Sequence, residues 1–139
     1  QATDLTTSAA VIAGDAAYAG AGLTPDQIDL MQLYDCFTPA LLIQLEDLGF
    51  CRKGEGGDFL ASGVTRPGGS KPLNTHGGML SHCHPGNPGA MFGLTEAMLQ
   101  MRGDAQARQL ANIQTALCHA QGGIMSSHAT LILGVEATL

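Results

Sequence analysis

The sequence predicts an α/β domain in which helices pack on a mixed β-sheet. Capped helical segments alternate with short apolar runs, in the order helix, strand, helix, long loop, helix, strand, strand. The last two strands are joined by Gln121-Gly122-Gly123, which is typical of a hairpin. The chain has 139 residues, enough for one domain with a single modest core.

The first elements are a helix and a strand. An Ala-rich segment over about residues 8–21 precedes Gly22, and a glycine in that place commonly ends a helix. Thr24-Pro25-Asp26 then resembles the cap and first turn of a short helical piece. Residues 29–34 are mostly apolar and predict a buried strand.

The second helix carries the clearest signals. Thr38 can cap it, Pro39 suits its first turn, and Gly49 follows its end. One face is apolar, and Glu46 and Asp47 are expected to point away from the core. The apolar face consists of Leu41, Leu42, Leu45 and Leu48.

The second half begins with a long loop and a third helix. Residues 51–74 are rich in glycine and polar residues without periodicity, which predicts a long loop of the kind that is usually functional or disordered. The third helix is predicted over about residues 88–102, capped by Asn87 and stopped by Gly103. Its expected buried stripe consists of Met91, Leu94, Met98 and Met101.

Two predicted strands, residues 113–119 and 128–133, complete the domain, which we assign to residues 1–139. No strand precedes the first helix, although an α/β half-domain usually begins with one. We therefore expect the chain to be a fragment or half of a larger enzyme.

Composition and charge argue against two function classes. The net charge of -6 offers no basic surface for nucleic acid. No apolar run is long enough to span a bilayer, so we expect no membrane partner, and no secretory signal opens the chain. The irregularly spaced cysteines are expected to be free thiols in a reducing cytoplasm. They are Cys36, Cys51, Cys83 and Cys118.

Reactive side chains concentrate in four short stretches, and three of these lie where a strand meets a loop or a helix. Side chains from different elements often converge at such junctions. A histidine beside a cysteine of low pKa is the usual device for thiol-based acyl transfer, with glycine-loop N–H groups holding the oxyanion. The stretches are Tyr34-Asp35-Cys36-Phe37, Asn74-Thr75-His76-Gly77-Gly78, His82-Cys83-His84-Pro85-Gly86 and Cys118-His119-Ala120-Gln121-Gly122-Gly123.

Clustered histidines and cysteines also raise the alternative of a zinc site. His82, Cys83 and His84 are adjacent, so they cannot easily all face one metal ion. The C-x-x-C and H-x-x-x-H spacings typical of zinc ligands do not occur in the sequence. We therefore expect no metal.

The motifs resemble those of the thiolases. Asn74-Thr75-His76-Gly77-Gly78 followed by His84-Pro85-Gly86 is similar to the N-x-x-G-G…G-H-P-x-G signature of their C-terminal domain. Tyr34-Asp35-Cys36-Phe37 resembles the H-D-C-F motif of the sterol-carrier, or lipid-transfer, branch, with Tyr in place of His. Cys118-His119-Ala120 resembles the C-x-G motif, and its histidine also resembles the Q-H-N form. The resemblance covers nearly the whole chain and implies a thiolase-like C-terminal half.

This resemblance implies five catalytic residues. His84 would activate the nucleophilic cysteine and polarise the thioester carbonyl. Cys36 or Cys118 would be the acid/base at the substrate α-carbon, because the sterol-carrier branch uses the first motif and ordinary thiolases the second. Tyr34 stands where the family positions a water, and His119 matches the Q-H-N histidine.

It also implies a substrate site and partners. Gly122 and Gly123 would shape the oxyanion region. Coenzyme A enters as part of the substrate or product, and no separate cofactor is implied. Because the family's nucleophilic cysteine lies in the N-terminal half, we expect the chain to need that half. The resemblance also implies a homodimer of the full protein and an OB-fold acyl-CoA-binding protein as a partner that the chain could dock. The further substrate-binding residues are Asn74, His76, Gly77, Gly78 and His82.

Three functions stay open from the sequence. The first is thiolase or acyltransferase chemistry, in which a C–C bond of an acyl-CoA forms or breaks through a covalent acyl-enzyme. The second is thiolase-fold retro-aldol cleavage of steroid or β-hydroxyacyl-CoA side chains, with Tyr34 moving the proton. The third is a non-catalytic half that needs a partner.

Overall fold

The computed structural model describes residues 4–135, which contain five helices and three strands. The helices are α1 (Ala10–Ala21), α2 (Thr38–Asp47), α3 (Gly56–Ala61), α4 (Gly78–Ser81) and α5 (Gly89–Arg102). The strands are β1 (Leu30–Leu33), β2 (Thr115–Gly122) and β3 (Ser127–Gly134). Short 3₁₀ turns lie at Pro25–Gln27 and Gln106–Arg108. Of these helices, none combines the length and the apolar character needed to cross a membrane.

The described strands form one mixed sheet in the order β1-β2-β3. β1 runs parallel to β2, with Leu33 opposite His119, and β2 and β3 form the predicted antiparallel hairpin. The predicted α/β class with a mixed sheet is confirmed. Because β1 and β2 are parallel, their carboxyl ends lie at the same end of the sheet, where following loops can meet.

Hydrophobic side chains pack on both faces of the sheet, because successive strand residues point to opposite sides. Gly14 lets α1 approach α2 closely, since a Cβ at that position would lie 2.8 Å from Leu48 Cδ2. The first cluster contains Ala10, Ile28, Met31, Leu33, Leu41, Leu45, Leu48 and Leu117. The second cluster contains Leu30, Ala97, Ile113 and Ala116.

Two details of the α2 prediction are wrong. The helix begins at Thr38 with Phe37 in the capping position, and no side chain forms a capping hydrogen bond. Asp47 is buried rather than turned outward. Its carboxylate accepts hydrogen bonds from Thr7 and Ser8 and pairs with Lys53, and these partners offset the cost of removing the charge from water.

The buried face of α5 also differs from the prediction. Met91 and Met98 are 56% and 48% exposed, and the helix instead buries Glu96, Ala97 and Gln100. Glu96 is held in the interior by hydrogen bonds from Thr75, Gln100 and Arg108 at 2.8 to 3.0 Å. Of the predicted stripe, Leu94 and Met101 are half-buried, and Met101 packs against the second cluster. A polar network occupies the rest of the buried face. The predicted Asn87 cap is also wrong, because Pro88 precedes the helix and no side chain caps it.

Residues 51–74 are not the unstructured loop that the sequence predicts. They contain α3, which has only six residues and is too short to show a helical period. The end of the segment runs beside β1, where Met31 N donates to Pro72 O and Asn74 N donates to Met31 O, both at 2.9 Å. This pairing brings the Asn74 motif to the end of β1.

Candidate active site

A cleft opens where the carboxyl ends of β1 and β2 meet. Tyr34 and Cys36 follow β1, Gly122 ends β2, and His84 enters from the loop between α4 and α5. The cleft has a volume of about 290 Å³. We call it the Tyr34 cleft, and its walls also include Gln121, Gly123, Ile124 and Met125.

Tyr34 and His84 form the central polar contact of this cleft. Tyr34 Oη lies 2.8 Å from His84 Nε2, and the rings meet edge to face with centroids 5.6 Å apart. Burial, with a smaller contribution from Cys36, raises the pKa of Tyr34, so the phenol is protonated at neutral pH. The phenol can therefore donate to His84 whenever Nε2 carries no proton.

Cys36 is paired with an amide from the neighbouring strand. Gln121 Nε2 lies 3.1 Å from Cys36 Sγ. The amide N–H of Gln121 can donate to this sulfur, so the contact fixes the position of the Cys36 side chain in the cleft. Sequence reasoning gave Gln121 no role. The two-residue period of β2 could have identified it, because Leu117, His119 and Gln121 share one side of the strand.

Asp35 is a second residue that sequence reasoning missed. Its buried carboxylate accepts a hydrogen bond of 2.6 Å from Met79 N in α4. A Cβ at Gly78 would lie 2.2 Å from Asp35 Oδ2, and Gly78 has a φ of +66°. Only glycine suits this place, and the contact positions α4 and therefore the loop that carries His84.

Asn74 clamps the main chain at the end of β1. Its Oδ1 accepts from Leu33 N at 2.8 Å, and its Nδ2 donates to Leu33 O at 2.9 Å. Asn74 also has a φ of +47°, which asparagine tolerates better than most residues. Both ends of the amide are occupied by backbone, so the geometry makes Asn74 a positioning residue, and its contact with substrate stays a prediction.

The other predicted substrate-binding residues, His76, Gly77 and His82, lie outside the cleft and next to α4. His76 packs edge to face with His82 at 5.5 Å, and His82 packs in the same way on Phe92 at 5.4 Å. Both ring nitrogens of His76 are buried without a hydrogen-bond partner among residues 4–135, and burial lowers its pKa. Gly77 has a φ of +106° and precedes α4. Only Gly122 and Gly123 of the predicted substrate-binding set line the cleft.

Cys118 and His119 are not brought into the cleft. Cys118 Sγ lies 4.0 Å from Gly93 O of α5 and faces a separate groove of about 300 Å³, and burial raises its pKa to about 12. His119 is 3% exposed, and its ring contacts Thr130 and His128. Burial and then His128 lower the pKa of His119 to about 4. Three of the five predicted catalytic residues therefore converge.

Neither a metal-binding cluster nor a disulfide bond occurs in the part of the chain that the structure describes. Over that part, His, Cys, Asp and Glu side chains form no group of three or more that could hold a metal ion. All four cysteines are free thiols.

Residues 1–135 match the family described as thiolase C-terminal domain-like, and the chain belongs to that family. The chain is therefore a thiolase-fold protein. Mammalian sterol carrier protein 2 sequences also match, so the resemblance to the sterol-carrier branch is confirmed.

Individual relatives include enzymes of more than one kind. The chain is 42% identical over 123 residues to the 17-hydroxy-3-oxo-4-pregnene-20-carboxyl-CoA lyase of Mycobacterium tuberculosis, covering 88% of this chain and 30% of that protein. It is 38% identical over 115 residues to the acetyl-CoA acetyltransferase of Methanothermobacter thermautotrophicus, covering 83% and 30%. The solved structure of an Ltp2-ChsH2(DUF35) aldolase superposes with a TM-score of 0.87 at 38% identity, covering 97% of this chain and 34% of that one. The chain thus spans about a third of the length of these relatives.

Proposed function

We propose that this chain supplies the acid/base groups of a thiolase-fold aldolase. Its substrates would be β-hydroxyacyl-CoA thioesters, including the CoA thioesters of steroid side chains. The observation that carries the proposal is the 2.8 Å contact between Tyr34 Oη and His84 Nε2 in the cleft. A phenol in contact with an imidazole can move a proton between an oxygen of the substrate and the protein.

The retro-aldol step begins at the β-hydroxyl of the substrate. Tyr34 accepts the hydroxyl proton while its own phenolic proton passes to His84 Nε2. The Cα–Cβ bond breaks, the β-carbon becomes a carbonyl, and the electron pair moves to Cα as a thioester enolate. Main chain at Gly122 and Gly123 stabilises the enolate oxygen. The Cys36 thiol then protonates Cα, and the resulting thiolate takes a proton from His84. The substrate thus loses one proton from its hydroxyl and gains one at Cα, and the protein returns to its starting protonation state.

Two further facts support this chemistry over acyl transfer. The thiol that ordinary thiolases would use, Cys118, lies outside the cleft with its pKa raised to about 12. The relative with 42% identity is named a lyase, and the superposed solved structure is an aldolase.

The second candidate is Claisen-type acyl transfer on acyl-CoA, and the contact between Gln121 and Cys36 favours it. The Cys36 sulfur, which Gln121 Nε2 contacts at 3.1 Å, could act as the base that removes the α-proton of an acyl-CoA. The nucleophilic cysteine would then come from an N-terminal thiolase half. A relative named acetyl-CoA acetyltransferase is consistent with this alternative.

Dependence on free coenzyme A separates the two chemistries. Retro-aldol cleavage needs no thiol acceptor, whereas retro-Claisen cleavage transfers an acyl group to coenzyme A. We expect the full-length protein that carries this chain to release a carbonyl compound and a shorter acyl-CoA without added coenzyme A. Intact mass spectrometry should detect no acylated cysteine. Cleavage that requires coenzyme A and leaves an acyl group on a cysteine would overturn the aldolase proposal.

Variants of the central contact test the residues. Tyr34→Phe and His84→Ala should each lower kcat by about 10²–10⁴, the usual cost of losing a general acid or base, while substrate binding is largely retained. Tyr34→Phe is the sharper variant because it removes only the hydroxyl. Unchanged turnover in either variant would remove that residue from the mechanism.

The partner proposals concern the full-length protein. We propose that the chain acts with an N-terminal thiolase half, in a homodimer, and that it can dock an OB-fold acyl-CoA-binding protein. The superposed aldolase is named for two components, Ltp2 and ChsH2(DUF35), which is consistent with a partner. Pull-down with a separately expressed N-terminal half tests this. Tight pairing without any turnover would favour the alternative of a non-catalytic interaction module. Absence of pairing would count against the N-terminal partner and against the interaction module alike.

A further inference from the structure

A continuous chain of hydrogen bonds braces the β2–β3 hairpin next to the Tyr34 cleft. Thr130 Oγ1 lies 2.8 Å from His119 Nδ1, and His119 Nε2 lies 3.1 Å from His128 Nδ1. His128 Nε2 then lies 3.1 Å from the carbonyl oxygen of Met125. The two imidazoles are stacked, with centroids 5.3 Å apart. The chain thus runs from β3 to the turn of the hairpin.

The strand register explains why these side chains meet. His119 is opposite Thr130, and Gln121 is opposite His128. Alternate residues of a strand share a face, so all four side chains lie on one side of the hairpin. This is the side from which Gln121 reaches Cys36.

The terminal carbonyl sets the direction of every bond when both rings are neutral. A carbonyl only accepts, so His128 Nε2 donates to Met125 and His128 Nδ1 is left as an acceptor. His119 Nε2 therefore donates to His128, and His119 Nδ1 accepts from the Thr130 hydroxyl. Burial keeps His119 neutral by lowering its pKa to about 4.

The carbonyl that ends this chain belongs to a strained turn. Gly123, Ile124 and Met125 have φ values of +56°, +56° and +61°. Positive φ is unfavourable for ordinary residues and most of all for a β-branched one such as Ile124. The Ile124 side chain is fully exposed, so its packing does not support the conformation. Such strain persists only where surrounding structure holds it.

We propose that Thr130, His119 and His128 are positioning residues that hold this turn in place as a wall of the Tyr34 cleft. Ile124 and Met125 both line the cleft, so the position of the turn shapes the space open to the acyl group. The effect on catalysis rests on the proposed function, whereas the hydrogen-bond chain and the turn can be measured without it.

A matched pair of substitutions at His128 tests the proposal. Glutamine can reproduce both contacts, because its oxygen accepts from His119 and its N–H donates to Met125, whereas leucine offers neither. In the full-length protein, His128→Leu should raise amide hydrogen exchange of residues 122–127 by on the order of tenfold. It should also weaken binding of a stable alkyl-CoA thioether by about tenfold, with kcat changed much less. His128→Gln should stay near the wild type in both measurements.

A second pair guards against a variant that fails to fold. Thr130→Val removes the donor at the start of the chain in an almost isosteric way, and Thr130→Ser restores it. Thr130→Val should raise exchange in the same segment, and Thr130→Ser should not. Unchanged exchange in His128→Leu and Thr130→Val, or equal effects of His128→Gln and His128→Leu, would overturn the proposal. If the retro-aldol assay fails while the exchange contrast persists, the positioning role stands and only the proposed function is lost.

Discussion

Cys36 and Cys118 are both half-buried thiols associated with the neighbouring parallel strands β1 and β2, yet they differ in solvent access and in hydrogen-bond partners. Cys36 lies beyond the end of β1, opens into the Tyr34 cleft and accepts an N–H from Gln121. Cys118 lies within β2 beneath α5, where burial raises its pKa to about 12.

The difference shows that a thiol's position relative to the end of its strand decides its chemistry. Residues beyond the strand end can face a cleft and exchange protons with substrate. A residue inside a covered strand loses solvent, and desolvation disfavours the thiolate whatever motif surrounds it. This difference in position is why we propose Cys36, which lines the cleft, as the acid/base.

Substituting each thiol in turn should produce the largest contrast. Cys36→Ala should lower kcat by about 10²–10⁴ because it removes the proton donor to Cα. Cys118→Ala, assayed in the same full-length protein, should leave kcat close to the wild type. Steady-state kinetics on a β-hydroxyacyl-CoA makes the comparison. A reversed order of the two variants would assign the acid/base role to Cys118.

Alkylation should separate the thiols without any assay of turnover. Burial raises the pKa of Cys118 from 9.0 to about 12, so its thiolate fraction falls by about 10³ relative to an unshifted thiol. Iodoacetamide at pH of about 8 should label Cys36 long before Cys118, as peptide mass spectrometry can show. In denaturant the two should react alike. Equal labelling of the folded protein would contradict the burial of Cys118.

The buried imidazole of His119 should also make the free energy of unfolding depend on pH. Burial lowers the pKa of His119 from 6.5 to about 4, so between these values the unfolded chain binds more protons than the folded one. The contribution is full above pH 6.5 and is lost as pH falls toward 4, by about 3 kcal/mol in total. Urea unfolding of the wild type and of His119→Gln across this window measures it. A wild-type slope that matches the variant would be inconsistent with a buried neutral His119.

The smallest expected effect concerns the support of the cleft beside Cys36. Gly78→Ala should destabilise folding by about 2 kcal/mol, because the new Cβ meets the Asp35 carboxylate at a positive φ. Gly20→Ala is the matched control. A Cβ added at Gly20 in α1 would meet no atom within 4 Å, so alanine should stabilise the helix by about 0.5–1 kcal/mol. Thermal unfolding compares the two, and equal shifts would argue against the Asp35 contact.

Much of the fold could be predicted because local signals and tertiary packing agree. The glycine stops at Gly22 and Gly103 end α1 and α5, and the predicted hairpin forms. Its turn lies at residues 123–126, because Gln121 and Gly122 still pair with β3. The errors arise where packing overrides local pattern. Met91 and Met98 of α5 are exposed because Glu96 and its partners occupy the interior, and a hydrophobic period cannot reveal a satisfied buried carboxylate.

The candidate site divides in the same way. Tyr34, His84 and Gly122 could be placed together from sequence, because their motifs stand at strand ends and in a glycine-rich loop. Gln121 and Asp35 could not be assigned, because their roles depend on contacts with Cys36 and Gly78 from other elements.

The sequence by itself determined the α/β class, the thiolase-like motifs and the residue types available for proton transfer. Only the tertiary structure placed Cys36 in the cleft and Cys118 outside it, and buried His119 against Thr130 and His128. The physical reason is that solvent access and hydrogen-bond partners, which set the protonation of a thiol or an imidazole, come from residues distant in the chain.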